Sequence, residues 1–487
     1  MPDIQIPQID LRVVLQLLIV CAWAVGLLVV DLFVPAGRKR ITGYLAILGT
    51  LVAAFAGIPL WGSSGSTFNG TIALDTFGLA LNWIFLLTSA LAIVIALDYL
   101  PRQGIERGEF YVLVLFATAG MMLLGQGSDL IVLFLGLELL SITLYVLAGF
   151  AYPRLSSEEA AMKYLLTGAF ATGFLVFGIA LVYGATGSTV LAEISAALQR
   201  QPLAAENYAY LLAGTALVVV GFGYKVSLVP FHMWTPDVYQ GAPTPVTAFM
   251  SVGSKAAAFA GLLRFLLTAV ETQRDIWAPG VGALAAATLI VGNIAALTQR
   301  NVKRMLAYSS VGQAGYILLG VLAGSANGVQ ATLFYLLAYA LTNLAAFAVL
   351  VALEQRGEEA WDMADLAGLW GRRPLLAVPM ALAMFSLAGV PPTAGFWAKW
   401  YVFLAAWQVG LEPLVLVGVV VSAIGAFYYL RVVAQMFMSA PARPVTTTTD
   451  RALAVGVGLA AAAILLLGVV PSPVIDLVQR SVLAAAP

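Results

Sequence analysis

Residues 221–255, GFGYKVSLVPFHMWTPDVYQGAPTPVTAFMSVGSK, decide how the rest of the chain is read. The stretch sets Lys225 inside an apolar helix and interrupts that helix with Pro230, His232 and Pro236. It then turns on GAPTP and sets Lys255 inside the next apolar helix. Charge and broken backbone are what a bilayer tolerates least. A chain that carries both in one place has a use for them, namely moving something polar across.

The surrounding composition supplies the bilayer. Of 487 residues 61% are hydrophobic and 10% charged, with mean hydropathy +0.95, against about 25% charged in soluble domains. Apolar runs of roughly 20 residues recur from end to end, the length that crosses a membrane. The fold class is therefore an all-α polytopic membrane protein. A formal net charge of zero argues against a nucleic-acid partner. The one cysteine, Cys21, excludes an internal disulfide and a cysteine-ligated metal or iron–sulfur site, and reads as inert packing. Residues 1–10 lack the basic start of a signal peptide, so the first apolar run is read as a retained helix. The chain has no Gly-rich phosphate loop and no Ser/His/Asp set. His232 is its single histidine, which excludes a bis-histidine haem. Any electron pathway belongs to partner chains.

Apolar runs set against polar breaks predict about fourteen transmembrane helices, roughly 10–34, 42–62, 74–98, 109–126, 129–151, 160–184 and a broken 209–239 in the first half. The second half continues with 245–270, 277–298, 304–324, 329–353, a broken 375–407, 412–438 and 452–471. An even number puts both termini on one side. Sixteen lysines and arginines fall in or beside loops of one face, among them Lys163, Lys303, Arg304, Arg356, Arg431 and Arg443, against Arg12, Arg200, Arg274 and Arg480 on the other. The positive-inside rule then puts both termini outside. The two longest loops carry amphipathic patterns, AEISAALQ and WDMADLAGLW, expected to lie along the surface as helices.

Two spans are interrupted within the bilayer. Pro230 breaks the seventh close after Lys225, and Pro391 and Pro392 break the twelfth shortly before Lys399. Proline removes a backbone donor and frees the carbonyl four residues earlier, which other groups must then meet. A packing kink explains either break alone; a buried lysine beside each is harder to dismiss. The breaks lie five spans apart in opposite directions, so helices 4–8 and 9–13 read as inverted five-helix repeats, a pattern that points to a transport site. This divides the chain into an N-terminal three-helix segment, 1–108, a first half, 109–270, a second half, 271–440, and a C-terminal helix region, 441–487.

Four charges fall near mid-bilayer. Glu138 is about nine residues into its helix, roughly 14 Å deep in a core about 30 Å thick. Lys225, Lys255 and Lys399 come to similar depths. Each costs about 2.5–3.5 kcal/mol on insertion scales, or roughly 10–14 kcal/mol for the four. Three lysines and one glutamate cannot all pair, and desolvation favours the neutral amine, so a relay of protons is the better reading than structural ion pairs. His232 fits the same layer as a shuttle or as an interhelical hydrogen bond. Lys163 follows a helix start with Ser157 as expected N-cap and reads either as a relay member or as snorkelling to the interface. Arg264 and Arg431, near helix ends, read as snorkelling. Trp234, Tyr239, Trp361, Trp370 and Trp400 read as interfacial anchors or packing.

At these residues the chain resembles a known family. KVSLVPFHMWTPDVYQGAPTPVTAFMSVGSKAA, NVKRMLAYSSVGQAGYIL and PPTAGFWAKW are similar to the antiporter-like membrane subunits of respiratory complex I, and the form of the first is that of the N (subunit 2) type. The resemblance spans almost the whole chain. It implies a proton-translocating membrane-arm subunit of NADH:quinone oxidoreductase without a redox centre of its own; NADH, FMN, iron–sulfur clusters and quinone belong to partner subunits. By matching position it implies Glu138 and Lys225 as an interacting pair, Lys255 as the central lysine and Lys399 as the relay residue of the second half, with Lys163 and His232 as further polar positions. The implied partners are the other membrane and peripheral subunits, paralogous antiporter-like ones included. The lack of a transit-peptide pattern favours a bacterial plasma membrane, and the charge bias puts both termini on its periplasmic side. The alternative with the same fold is a subunit of a multisubunit sodium/proton antiporter.

Overall fold

The structure is a computed structural model that describes residues 9–200, 204–354, 361–440 and 450–480. Among these, twelve helices are long and apolar enough to cross a membrane. The other two expected spans come out short. The first is the 17-residue helix Leu15–Asp31. The twelfth is divided into Pro374–Ala388 and Ala394–Gln408, each of 15 residues and so only about 22 Å long. Arg356 and Arg443, both counted in the charge bias, lie outside the described residues.

The centre is the helix that carries Lys255. Residues 244–269 form one continuous span whose most apolar window is wholly buried; Val302–Ala323 and Ala326–Leu353 beside it are nearly so. Leu155–Thr186 and Glu412–Met438 lie at the rim, where Phe170, Phe177, Leu416 and Phe427 are exposed. Lipid gives no hydrophobic drive between helices, so close packing must hold them, and small residues permit it. A Cβ on Gly120 would meet the Leu140 backbone at 2.6 Å, and one on Gly292 the Gly312 backbone at 2.4 Å. The helix pairs 109–126 with 130–148, and 274–297 with 302–323, therefore close backbone to backbone.

Both described ends lie on one face. The Asp10 amide donates to Thr67 Oγ1 at 3.1 Å, and Thr76 Oγ1 donates to the Arg480 carbonyl at 2.9 Å. That face also carries a hairpin absent from the all-α expectation, Gly65–Thr67 paired antiparallel with Ile72–Leu74. Its turn needs positive φ at Phe68 and Asn69 (51° and 57°), which asparagine accepts more readily than most residues. Leu191–Arg200 is helical as its amphipathic pattern predicts. WDMADLAGLW is not one helix: a 3₁₀ turn, Met363–Leu366, is separated from a single turn, Leu369–Arg372, by Gly368 at φ 64°. Ser157 is not an N-cap either. The helix begins at Leu155, and the Ser157 hydroxyl donates back to the Ala148 carbonyl at 2.6 Å.

Candidate functional site

Both interrupted helices stop in the same manner. Ala205–Val226 ends with Ser227 left-handed at φ 68°; the Leu228 amide donates to the Gly223 carbonyl at 2.8 Å and the Ser227 amide to Tyr224 at 3.1 Å. Pro374–Ala388 ends with Gly389 at φ 86°; the Val390 amide donates to Phe385 at 2.9 Å and the Gly389 amide to Ser386 at 3.0 Å. Each is a Schellman motif, which uses up the last carbonyls and turns the chain out of the helix. The chain resumes as Trp234–Gly241 and as Ala394–Gln408. The prolines follow these caps; Pro230 and the pair Pro391–Pro392 occupy the linkers.

Lys225 is the second-last residue of its helix and is 1% exposed. Its amine donates to Ser141 Oγ at 2.9 Å and Tyr164 Oη at 2.8 Å, and lies over the Tyr164 ring, 4.8 Å from its centroid. Glu138 stands one helical turn before Ser141. It forms no ion pair with Lys225 among the described residues but accepts from Thr172 Oγ1 at 2.7 Å, close enough for its charge to act on the amine. Lys225, Ser141 and Thr172 line one cavity of about 10 Å³, roughly what a single water occupies. The Tyr164 hydroxyl also interacts with Ser254, the neighbour of Lys255 in sequence.

Lys255, 1% exposed, follows a π turn over Met250–Ser254 and donates to the Ser310 carbonyl at 2.5 Å. From there polar contacts run on along Val302–Ala323. Ser309 Oγ meets Tyr429 Oη at 2.5 Å, and Gln313 Nε2 donates to Tyr429 at 3.0 Å and to the Leu387 carbonyl at 3.2 Å. The next carbonyl, Ala388, accepts from Lys399 at 2.9 Å, and Ser422 Oγ accepts from the same amine at 2.8 Å. Leu387 and Ala388 stand four residues before Pro391 and Pro392. They are the last two residues of the helix Pro374–Ala388, so their carbonyls have no helical donor, and Gln313 and Lys399 meet them instead; the prolines beyond the cap do not free them.

Two expected site residues stand apart. Lys163 is not buried with Lys225, Lys255 and Lys399. Its side chain is 43% exposed and pairs with Glu159 at 2.7 Å and Asp237 at 2.9 Å, beside Arg304 on the same carboxylate. Together they line a surface cavity of about 210 Å³. His232 lies in the linker after Pro230; its Nδ1 is buried with no hydrogen-bond partner among the described residues.

Sequence reasoning misjudged three other cations. Arg264 does not snorkel. It is 2% exposed, pairs with Asp75 at 2.9 Å and donates to the Gly125 carbonyl at 2.7 Å. Arg431 instead donates to the Leu297 and Gln299 carbonyls, covering the end of Arg274–Leu297. Lys303, counted as a loop charge, is fully buried; it donates to the Ala242 carbonyl at 2.6 Å and lies over Trp361, 4.2 Å from the ring centroid. Trp361 in turn donates to Glu354 at 2.6 Å, and Glu354 is 2% exposed. Neighbouring polar residues in sequence hid this cluster, since NVKR reads as a loop whether or not its lysine turns inward.

The comparisons with known proteins agree with this geometry. Residues 127–425 match the family described as NADH:quinone oxidoreductase/Mrp antiporter, TM. The NADH-quinone oxidoreductase subunit N 2 of Roseiflexus castenholzii is 64% identical over 99% of this chain and 98% of its own. A chain in respiratory complex I from Thermus thermophilus with bound aureothin is 35% identical and superposes with TM-score 0.82, covering 96% of this chain and all (100%) of that one. A chain of the Mrp complex from Dietzia sp. DQ12-45-1b superposes at 0.85 over 97% of each chain but is 24% identical, which shows a shared fold alone. This chain belongs to the NADH:quinone oxidoreductase/Mrp antiporter family, among relatives that are N subunits of NADH-quinone oxidoreductase.

Proposed function

We propose that this chain carries protons through a non-redox membrane-arm subunit of NADH:quinone oxidoreductase, driven by redox chemistry on NADH, FMN, iron–sulfur clusters and quinone in partner subunits. One observation carries the reading. Lys225, Lys255 and Lys399 are buried in the membrane interior with neutral oxygen acceptors and, among the described residues, no carboxylate ion pair. Static helix glue would pair such charges, because an unpaired buried charge is costly. Groups that exchange protons need acceptors of this kind.

In this reading Glu138, Lys225, Lys255 and Lys399 form the relay, and His232 and Lys163 serve it at its margins. Movement of Glu138 toward Lys225 stabilises the charged amine; withdrawal releases the proton toward Ser254 and Lys255. Tyr164, Ser309, Tyr429 and Gln313 are the polar stepping stones, and the linkers at Pro230 and at Pro391–Pro392 admit water. The halves 109–270 and 271–440 act as the two inverted repeats, flanked by 1–108 and 441–487. The membrane is a bacterial plasma membrane with both termini periplasmic, as the charge bias favours.

The test is proton pumping by membrane vesicles with NADH and a quinone, sodium varied, for wild type and Lys225→Ala. The expected outcome is NADH-dependent pumping that ignores sodium and is lost in the assembled variant. Full pumping by that variant overturns the relay, and sodium-driven exchange without NADH moves the chain to the antiporters.

A further inference from the structure

On the face opposite both described ends, the turn that leads into the central helix is held from two sides. The Lys303 amine donates to the Ala242 carbonyl at 2.6 Å, and the Thr244 hydroxyl donates to Glu354 Oε1 at 2.5 Å. Trp361 joins the two holds. Lys303 Nζ lies 4.2 Å from its ring centroid, and its Nε1 donates to the same Glu354 oxygen at 2.6 Å. Lys303 is fully buried and Glu354 is 2% exposed, yet among the described residues the amine and the carboxylate form no ion pair. The arrangement repeats that of the first helix break. There, buried Lys225 bonds to hydroxyls and lies over Tyr164 while Glu138 takes the Thr172 hydroxyl.

Glu354 is close enough for its charge to act on Lys303. Arg102, which binds the Glu354 main-chain carbonyl at 2.9 Å, has its own carboxylate in Asp98 at 2.6 Å. Arg154 stands over the Trp361 ring as well, 5.0 Å from the centroid. An arginine stays charged throughout, whereas a buried lysine readily gives its proton up. Lys303 is therefore the cation of this cluster that can change its charge. Water comes within one wall of it. The surface cavity of about 210 Å³ that Lys163, Asp237 and Arg304 line has Gly241 and Trp361 in its wall too, and it has room for several waters at about 30 Å³ each. From behind, the Lys303 amine rests on that wall at Trp361 and at Ala242, next to Gly241. Further along the same helix, Ser310 lies two turns, roughly 10 Å, beyond Lys303 on the same side. The Ser310 carbonyl is the one that holds Lys255 at 2.5 Å.

We propose that Lys303 and Glu354 form a further amine–carboxylate site, at which this chain takes up protons from the cavity and hands them on to Lys255. It rests on the reading of the chain as a proton pathway, and the charge bias makes this face the side of uptake. A hydronium in the cavity gives its proton to the neutral Lys303 amine and leaves as water. Glu354 steadies the ammonium so formed. The ammonium becomes neutral amine again when its proton passes to Lys255. A lysine that only tied the turn would serve equally well with its proton fixed.

The experiment uses the whole complex in membrane vesicles and follows NADH-driven pumping against pH, with Lys225→Ala as the reference. Lys303→Arg keeps a cation and a donor for Ala242 but never releases its proton. Lys303→Gln keeps a donor without the charge. Both should assemble and lose pumping as far as Lys225→Ala does. Wild-type pumping in either assembled variant overturns the site, since Lys303 is then no more than a tie. The pH profile of Glu354→Gln is the readout that a tie alone would not move. That variant keeps an oxygen for Thr244 and Trp361 and removes the charge that steadies the ammonium. On rising pH its pumping should fail about one pH unit before that of wild type. An alkaline limb in the wild-type place overturns the pair, and this measurement decides should the Lys303 variants not assemble. Loss in Lys225→Ala beside full pumping in the Lys303 variants would strike this site alone. Full pumping in Lys225→Ala would strike the proposed function instead.

Discussion

The two helix breaks close with the same backbone device and hold their lysines in different ways. At the first, Lys225 precedes the break and reaches across to hydroxyls on other helices, with Glu138 near enough to act on it. At the second, Lys399 follows the break and reaches back to Ala388, the terminal carbonyl of the helix before it. A helix C-terminus carries partial negative charge, so it does for Lys399 part of what a carboxylate does near Lys225. The difference is one of control. A glutamate on a separate helix can approach or withdraw, whereas a backbone carbonyl stays where its helix puts it. In the relay reading, the first break is the switched site and the second a fixed way station.

That contrast can be broken most directly at Glu138. Glu138→Gln keeps an acceptor for Thr172 but removes the movable charge, and pumping with NADH should fall at least about tenfold in the assembled complex. Pumping at the wild-type rate would mean that the breaks work alike. The connection between the two sites is tested next. Gln313→Leu removes the contact from Tyr429 to the Leu387 carbonyl, and the proton yield per NADH should drop about threefold, the worth of roughly one hydrogen bond. An unchanged yield would remove Gln313 from the path.

Smaller effects sharpen the backbone comparison. At φ 86°, Gly389 has no room for a side chain, because a Cβ would stand 2.9 Å from Lys399 Cδ. Gly389→Ala should cost about 2 kcal/mol, left-handed strain and overpacking together, read as a lower thermal midpoint of the detergent-solubilised complex. Ser227 holds the equivalent place at φ 68° with its hydroxyl accepting from Thr235 at 2.7 Å. Ser227→Gly relieves the strain but loses that bond, so stability should change by less than about 1 kcal/mol. A large loss there would show that the hydroxyl, not the backbone, holds the first break.

Apolar runs and their interruptions by lysine and proline determined the membrane class, the order of the spans and the places where two of them break. Those features are local: about 20 apolar residues need a bilayer whatever surrounds them, and proline removes a donor in any context. KVSLVPFHMW and PPTAGFWAKW carried the family for the same reason. The cap at Ser227 was invisible, since serine seldom takes a left-handed conformation without tertiary support. Tertiary structure alone decided which cations turn inward. Arg264 and Lys303 stand near helix ends, where a long side chain can reach water or fold back, and the choice rests on Asp75, Gly125, Ala242 and Trp361 from distant parts of the chain. A buried charge is settled by its partners, and partners are brought together only by the fold.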